Sequence, residues 1–212
     1  MLPEASTVPP PLNIAMQKKI LRERAIALRT GLSAHQRAEA ENRIASALDR
    51  LLEMHSVHCI GFCWPHRGEP DLRGWIRRWV DGDPLRTAAL PVVVAPRRAM
   101  VFRRWTAETE MVPDRYGIPH PAHGEVLHPD LVLVPVNAFD GRGYRIGYGG
   151  GYFDRTLAAL DPRPISVGVG FESARVDDAL AEAHDLPMQW AVTETGLERF
   201  AAVPSARGDH DR

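Results

Sequence analysis

DLVLVPVNAFDGRGYRIGYGGGYFDRTLAAL, from Asp130 to Leu160, runs from an apolar strand through a loop bearing Gly141, Gly143, Gly147, Gly149, Gly150 and Gly151 into an amphipathic helix. Glycine is concentrated where strand hands over to helix. Glycines tolerate positive φ and let backbone N–H groups approach a ligand, and the helix adds its free N-terminal N–H groups and positive dipole end. These are the parts of a phosphate cradle, and ligands of open α/β sheets bind at this carboxyl edge of the strands. A Walker A loop would need Lys and then Ser or Thr after the last glycine, whereas Tyr152 and Phe153 follow Gly151. A dinucleotide fingerprint fits only loosely, because that motif belongs on the first βα turn and this loop lies late in the chain. The bland alternatives are a flexible turn or an aromatic-glycine RNA-binding segment. Arg145 and Asp154, of opposite charge, bracket the glycines and argue against both.

Outward from this stretch the pattern is helical first and alternating afterwards. Between Asn13 and Thr30 the apolar positions Ile14, Ile20, Leu21, Ala25 and Leu28 fall near helical spacing among Lys18, Lys19, Arg22, Arg24 and Arg29. Gly31 ends this basic helix, and Ser33 with Gln36 forms a capping box for a second helix to about Met54, with a stripe of Ile44, Ala47, Leu48, Leu51 and Leu52. Strands are expected at Val57 to Trp64, Ala88 to Ala95, Met100 to Trp105, Leu131 to Pro135 and Ile165 to Gly170. Helices are expected at Asp71 to Val80, after Gly151 and around Asp177 to Ala183. The alternation indicates an α/β fold, a three-layer α/β/α sandwich with a largely parallel sheet, preceded by two N-terminal helices.

The 212 residues suit one domain, expected over residues 13–203 between a disordered leader (1–12) and a disordered tail (204–212). A formal charge of -1 leaves no whole-molecule field for nucleic acid or an anionic membrane, so any anion site must be local. No apolar run approaches the roughly 20 residues that cross a bilayer, and Met1 to Pro11 lacks the pattern of a signal peptide. A cytoplasmic protein is expected. Cys59 and Cys63, the two cysteines, read as buried reduced thiols on one strand face. His120, His123 and His128 stand in a proline-rich connector without metal-ligand spacing and read as linker surface.

GYRIGYGGGYFDR, from Gly143 to Arg155, resembles the signature of the 5-formyltetrahydrofolate cyclo-ligase family, roughly R-L-G-x-G-x-G-Y-Y-D. Arg145, Gly147, Gly149, Gly151, Tyr152 and Asp154 match it, and Tyr148 and Gly150 occupy variable positions. KKILRERAIALRTGLS (Lys18 to Ser33), GFCWPHRGEPD (Gly61 to Asp71) and AHDLPMQWAVTETG (Ala183 to Gly196) are similar to further family blocks in family order. The chain departs from the family at PVNAFD, where many members carry Pro-Gly; Val136 and Asn137 stand there, the first unsuited to glycine-only backbone and the second polar near the cleft.

The resemblance implies ATP-driven, Mg²⁺-dependent closure of 5-formyltetrahydrofolate to 5,10-methenyltetrahydrofolate, with ATP as co-substrate and reduced folate as the other small-molecule partner. It implies Lys18 and Arg145 as catalytic cations, and Lys18, Arg22, Arg145, Gly147, Tyr148, Gly149, Gly150, Gly151 and Tyr152 as ATP contacts. Glu69, Trp64, Tyr148 and Tyr152 fall to the folate, and Asp154 and Asp185 to the metal. A monomer or weak homo-oligomer is expected. Each residue also has a plainer reading: Lys18 and Arg22 as a solvated basic face, Asp154 as a helix-start acid, Glu69 as a surface carboxylate and Tyr152 as packing. Two other readings of the whole chain stand beside this one. A same-fold ATP-dependent enzyme would act on a different substrate, and an RNA-binding module would need a basic, aromatic-lined surface that the near-neutral charge disfavours.

Overall fold

The computed structural model describes residues 13–201, so the leader (1–12) and tail (204–212) lie outside the described residues. The helices are α1 (Ile14–Thr30), α2 (Ala34–Glu53), α3 (Arg73–Asp81) and α4 (Tyr152–Ala159). The strands of the first half are β1 (Cys59–Gly61), β2 (Thr87–Val92), β3 (Val101–Trp105), β4 (Met111–Pro113), β5 (Pro119–Pro121) and β6 (Val126–Leu127). In the second half come β7 (Leu131–Pro135), β8 (Ala138–Phe139), β9 (Arg145–Ile146), β10 (Ile165–Val169), β11 (Trp190–Thr193) and β12 (Gly196–Arg199).

The main sheet has the order β12-β11-β10-β7-β1-β2-β3-β6. Its middle is parallel from β11 to β2, and β12, β3 and β6 add antiparallel edges. Buried on both faces, the central strand LVLVP is a continuous apolar run. One core unites Ile44, Leu48 and Leu51 of α2 with Trp75 and Ile76 of α3, against Ile60, Leu131, Leu133 and Val167. The opposite core joins Leu157 of α4 to Val132, Val134, Phe102, Met188 and Ala25 of α1. Burying each of the larger side chains contributes about 1.5–3 kcal/mol. Gly61 is required where the strands press together, because a Cβ there would lie 2.7 Å from the Phe102 ring.

The two leading helices start as expected, α1 capped by Asn13 and α2 by the Ser33–Gln36 box. They precede the sheet in the chain, as expected, and pack in different places. α2 forms part of one layer, whereas α1 lies against β8, β9 and the short 3-10 turn Glu172–Ala174 at the carboxyl edge. The face of α1 differs too: Ile14, Ile20 and Leu28 are exposed, and Ala25, Ile26 and Arg29 are buried. A helix that covers a polar cleft buries Arg29 from its basic face together with Ala25 and Ile26, and leaves Ile14, Ile20 and Leu28 outside.

The helix expected at Asp177 to Ala183 does not form. Leu180 takes φ 56°, and carboxylates replace the helical acceptors: Asp140 takes the Ala179 N–H, Asp178 that of Leu180 and Asp185 that of Glu182. Such local bonds are how Asp competes with helix. Of the histidine-bearing connector, His120 lies in an antiparallel hairpin, β4 with β5, where it pairs with Val112, and His123 and His128 follow it.

Candidate active site

The glycine loop is built on Asp140, which is fully buried. Its carboxylate accepts the N–H groups of Arg142, Tyr144 and Ala179 and the Arg142 guanidinium at 2.7 Å. Burial pushes this carboxyl up, but the guanidinium and the N–H groups outweigh it and hold it below the usual range. Gly143 has φ 86°, and a Cβ there would lie 2.7 Å from the Met188 carbonyl. Beyond β9, Gly149 and Gly151 take φ 90° and 61°, and Gly151 is the cap of α4. Among the described residues, the N–H groups of Tyr148, Gly149, Gly150 and Gly151 donate to no protein acceptor. With the free first turn of α4 they form a row of unengaged donors.

α1 lies over this row. Arg22 Nε donates to the Gly147 carbonyl at 2.7 Å, and a Cβ on Gly149 would come 3.5 Å from its guanidinium. No carboxylate among the described residues forms a salt bridge with Arg22. Burial, ahead of repulsion from Arg67, lowers its hold on the proton. Lys18 donates to Glu182 at 2.9 Å and to Asp185 at 3.2 Å. Burial alone would lower the lysine pKa, but these two carboxylates raise it. The ligand atoms of Glu182, His184 and Asp185 lie within 4.8 Å of one another, with the Lys18 ammonium bonded to both carboxylates.

Glu69 comes to the same edge from the loop after β1. It is 7% exposed, its Oε2 accepts the His66 N–H at 3.0 Å, and its Oε1 accepts the Tyr148 hydroxyl at 2.6 Å. Burial raises this carboxyl, with Tyr148, Arg29 and the His66 N–H opposing. Burial, then the Glu69 charge, pushes the Tyr148 phenol well up. Arg29, only 4% exposed, stands 3.5 Å from Glu69 and donates to Tyr148 Oη at 2.7 Å. A narrow cavity between Phe62, Cys63, Glu69, Leu133 and Pro135 opens beside them.

Arg145 is bound inward, Nη1 to the Leu186 carbonyl at 2.9 Å and Nη2 to Asp154 Oδ1 at 2.9 Å. Asp154 Oδ1 also accepts the Leu186 N–H, and among the described residues Oδ2 accepts nothing. Through the Leu186 bond Asp154 is tied to the residue that follows Asp185 in the chain. Tyr152 faces Arg115 of the β4–β5 hairpin, whose guanidinium donates to its hydroxyl at 3.2 Å. Trp64 is half-buried under the Arg73 guanidinium, 4.4 Å from its ring, and among the described residues no hydrogen bond or ring contact joins it to Tyr148 or Glu69.

The sequence profile of the 5-formyltetrahydrofolate cyclo-ligase family matches residues 14–194. The chain belongs to that family. Its membership makes it an ATP-dependent ligase. The chain is 27% identical over 169 residues to the 5-formyltetrahydrofolate cyclo-ligase of Haemophilus influenzae, covering 76% of this chain and 89% of the relative. With the enzyme of that name from Escherichia coli the identity is 28% over 174 residues, covering 78% and 93%. The fold superposes on the 5,10-methenyltetrahydrofolate synthetase of Aquifex aeolicus with a TM-score of 0.74 at 28% identity, over 92% of this chain and 98% of that one. The Mycoplasma pneumoniae structure of the same description shares the fold, with a TM-score of 0.67 at 20% identity, over 84% and 99%. No helix among the described residues is long and apolar enough to cross a membrane.

Contacts tie α1, the loop after β1, the glycine loop and the segment around Asp185 to one another; Trp64, in the same loop as Glu69, makes no hydrogen bond or ring contact with Glu69 or Tyr148 among the described residues. The departure at Val136 carries no backbone strain, since neither Val136 nor Asn137 has positive φ. Val136 instead packs on Gly168 and Gly170, where an added Cβ would lie 3.2 Å and 2.5 Å from its methyls. Asn137 is buried with both amide atoms unpaired. Sequence reasoning missed Arg29, Arg115 and the structural role of Asp140. For the last, the available signal was an aspartate leading two closely spaced glycines, in the order Asp140, Gly141, Arg142, Gly143.

Proposed function

We propose that this chain joins ATP hydrolysis to ring closure of 5-formyltetrahydrofolate, giving 5,10-methenyltetrahydrofolate, ADP and phosphate. The observation that carries the reading is the row of unengaged N–H groups from Tyr148 to Gly151, with Arg22 of α1 held against it, while Lys18 of the same helix is paired with Glu182 and Asp185. An N-formyl oxygen leaves poorly until it is phosphorylated. The N5-formyl oxygen attacks the γ-phosphorus, ADP departs, N10 then adds to the activated carbon, and phosphate leaves with the former formyl oxygen and the N10 proton. Phosphoryl transfer asks the protein for positioning and charge neutralisation, which the N–H row and the two cations supply. Arg145 takes part from behind, holding Asp154 at the loop.

Glu69 is the acceptor for the N–H groups of the reduced pterin, in exchange for Tyr148. Tyr148 and Tyr152 offer aromatic faces on either side of the glycines. The donor set fits Mg²⁺, which prefers few carboxylates together with phosphate oxygens and water. Asp154, through its free Oδ2, and Asp185 would hold it, and it would neutralise phosphate charge during transfer.

The test is direct: purified chain, 5-formyltetrahydrofolate, ATP and Mg²⁺, with absorbance of the methenyl product followed over time. Product should form only with both ATP and Mg²⁺ present. Product without ATP, or none under any condition, overturns the reading.

A further inference from the structure

Arg29 is engaged through all three guanidinium nitrogens. Nε donates to the Arg67 carbonyl at 2.8 Å, Nη1 to the Val136 carbonyl at 3.3 Å, and Nη2 to the His66 carbonyl at 3.3 Å and Tyr148 Oη at 2.7 Å. Its salt bridge to Glu69 Oε1 spans 3.5 Å. We propose that Arg29 is a positioning residue for the folate substrate, keeping Glu69 charged and aimed so that the carboxylate can exchange Tyr148 for the N–H groups of the pterin. This rests on the reading of Glu69 given above.

A carboxylate as deep as Glu69 stays ionised only beside a cation with well-satisfied hydrogen bonds. Three backbone carbonyls fix the guanidinium independently of Glu69, so the cation stays in place when Glu69 changes partner. That is preorganisation, with the charge set before substrate arrives. The His66 N–H holds Oε2. The partner of Oε1 is Tyr148, carried between Gly147 and Gly149 on the glycine loop, and this is the contact a ligand can replace.

The groups facing Glu69 are Arg29 from α1, Tyr148 from the glycine loop, the Cys63 thiol two residues past β1, and the His66 N–H from its own loop, while Arg67 faces the His66 ring. Burial lowers the His66 pKa, so this ring is neutral at neutral pH, and Arg67 is exposed. Arg29 is therefore the buried cation on which the charge of Glu69 depends.

The experiment uses the full chain and measures KM for 5-formyltetrahydrofolate and for ATP between about pH 5 and pH 9, a span covering carboxylate and imidazole titration. Arg29→Gln keeps a donor and removes the charge. Its folate KM should rise roughly tenfold at neutral pH, the loss of one charge-assisted contact, with the ATP KM within about twofold. The acid limb, where folate KM climbs as Glu69 takes up a proton, should move toward neutral pH relative to wild type. Arg29→Lys keeps the charge without the reach, so its folate KM should rise while the limb stays put. A folded Gln variant, by circular dichroism, with the wild-type limb overturns the proposal. If the Gln variant does not fold, the Lys variant decides: folate KM raised alone supports the role, and equal losses for ATP and folate overturn it. A wild-type chain inert toward 5-formyltetrahydrofolate removes the Glu69 reading and this inference together; a competent wild type with an unaffected variant removes the inference alone.

Discussion

Lys18 and Arg145 look equivalent in sequence, two cations in blocks that resemble phosphate contacts, and the fold separates them. The Lys18 side chain reaches two carboxylates at the mouth of the cleft, while the Arg145 guanidinium is nearly buried against Asp154. Lys18→Ala should raise the ATP KM about tenfold with the melting temperature almost unmoved, since the loss is of a charge-assisted contact to phosphate. Arg145→Ala should cost about 3–5 kcal/mol in a denaturant titration, because it strands a partly buried carboxylate. Equal stability of the two variants would show that Arg145 is not structural. Glu69→Gln offers one acceptor oxygen where two stood, and a contact worth about 1.5–3 kcal/mol translates to a folate KM raised by roughly one to two orders of magnitude, with ATP spared. An unchanged folate KM rules Glu69 out as a ligand. These residues were legible because each sits in a block with a recognisable pattern. Arg29 was not: a lone arginine on a basic helix carries no mark in the sequence of the carbonyls at 66, 67 and 136 that will enclose it.

The glycine loop was readable as an element because strand, glycines and helix follow one another without interruption, and α2, α3 and the apolar β7 were equally plain from periodicity. What the pattern could not reach was pairing at a distance. The two-residue strands β8 and β9 are too short for any alternation to register, and α1 buries a face chosen by the cleft it covers. The segment Asp177 to Ala183 had helix-forming residues, but the Ala179 N–H is claimed by Asp140, almost forty positions away. The glycines of the loop fall into two kinds, which substitution by alanine separates. At Gly143 a Cβ meets the Met188 carbonyl and the Phe200 ring in a left-handed backbone, so Gly143→Ala should lower stability by about 1–3 kcal/mol. At Gly149 the neighbour is the far end of the Arg22 side chain, so Gly149→Ala should fall mainly on ATP use, through lost contact with the N–H row and the strain of its φ. Thermal melts with and without Mg-ATP check both: a Gly149 variant that keeps full stabilisation by the nucleotide would count against the cradle.

For the molecule as a whole, pH acts through two sets of groups. Asp71, beside Arg73, and Asp140 and Glu172, whose arginine partners and hydrogen bonds outweigh their burial, all titrate below the usual carboxylate range. Their contribution is present above the unfolded carboxylate pKa of about 4 and is lost as pH falls through the folded values. Glu69, raised by burial, works in the opposite sense. Cys59 and Cys63 are raised by burial, and the Tyr148 phenol likewise. The thiol contribution is full below the unfolded thiol pKa of about 8.5, and that of the phenol below about 10, and each is lost as pH rises through the folded values. His66, lowered by burial, adds a further loss as pH falls below the unfolded imidazole pKa of about 6.5, so the melting temperature should be highest between about pH 6.5 and pH 8.5 and decline on both sides, and Cys63→Ala should soften the alkaline decline. An alkaline limb of undiminished steepness in that variant would exclude the thiol as a source. Last, the site is closed by residues far apart in the chain: Arg22, Arg29 and Lys18 meet partners 125, 119 and 167 positions later. At ordinary elongation rates the first helix waits on the order of ten seconds outside the ribosome before its cleft exists. Ile14, Met16, Ile20 and Leu28 stay exposed even in the folded chain, so the helix gives up little by waiting in water, and the site can close only once the segment around Asp185 has been made.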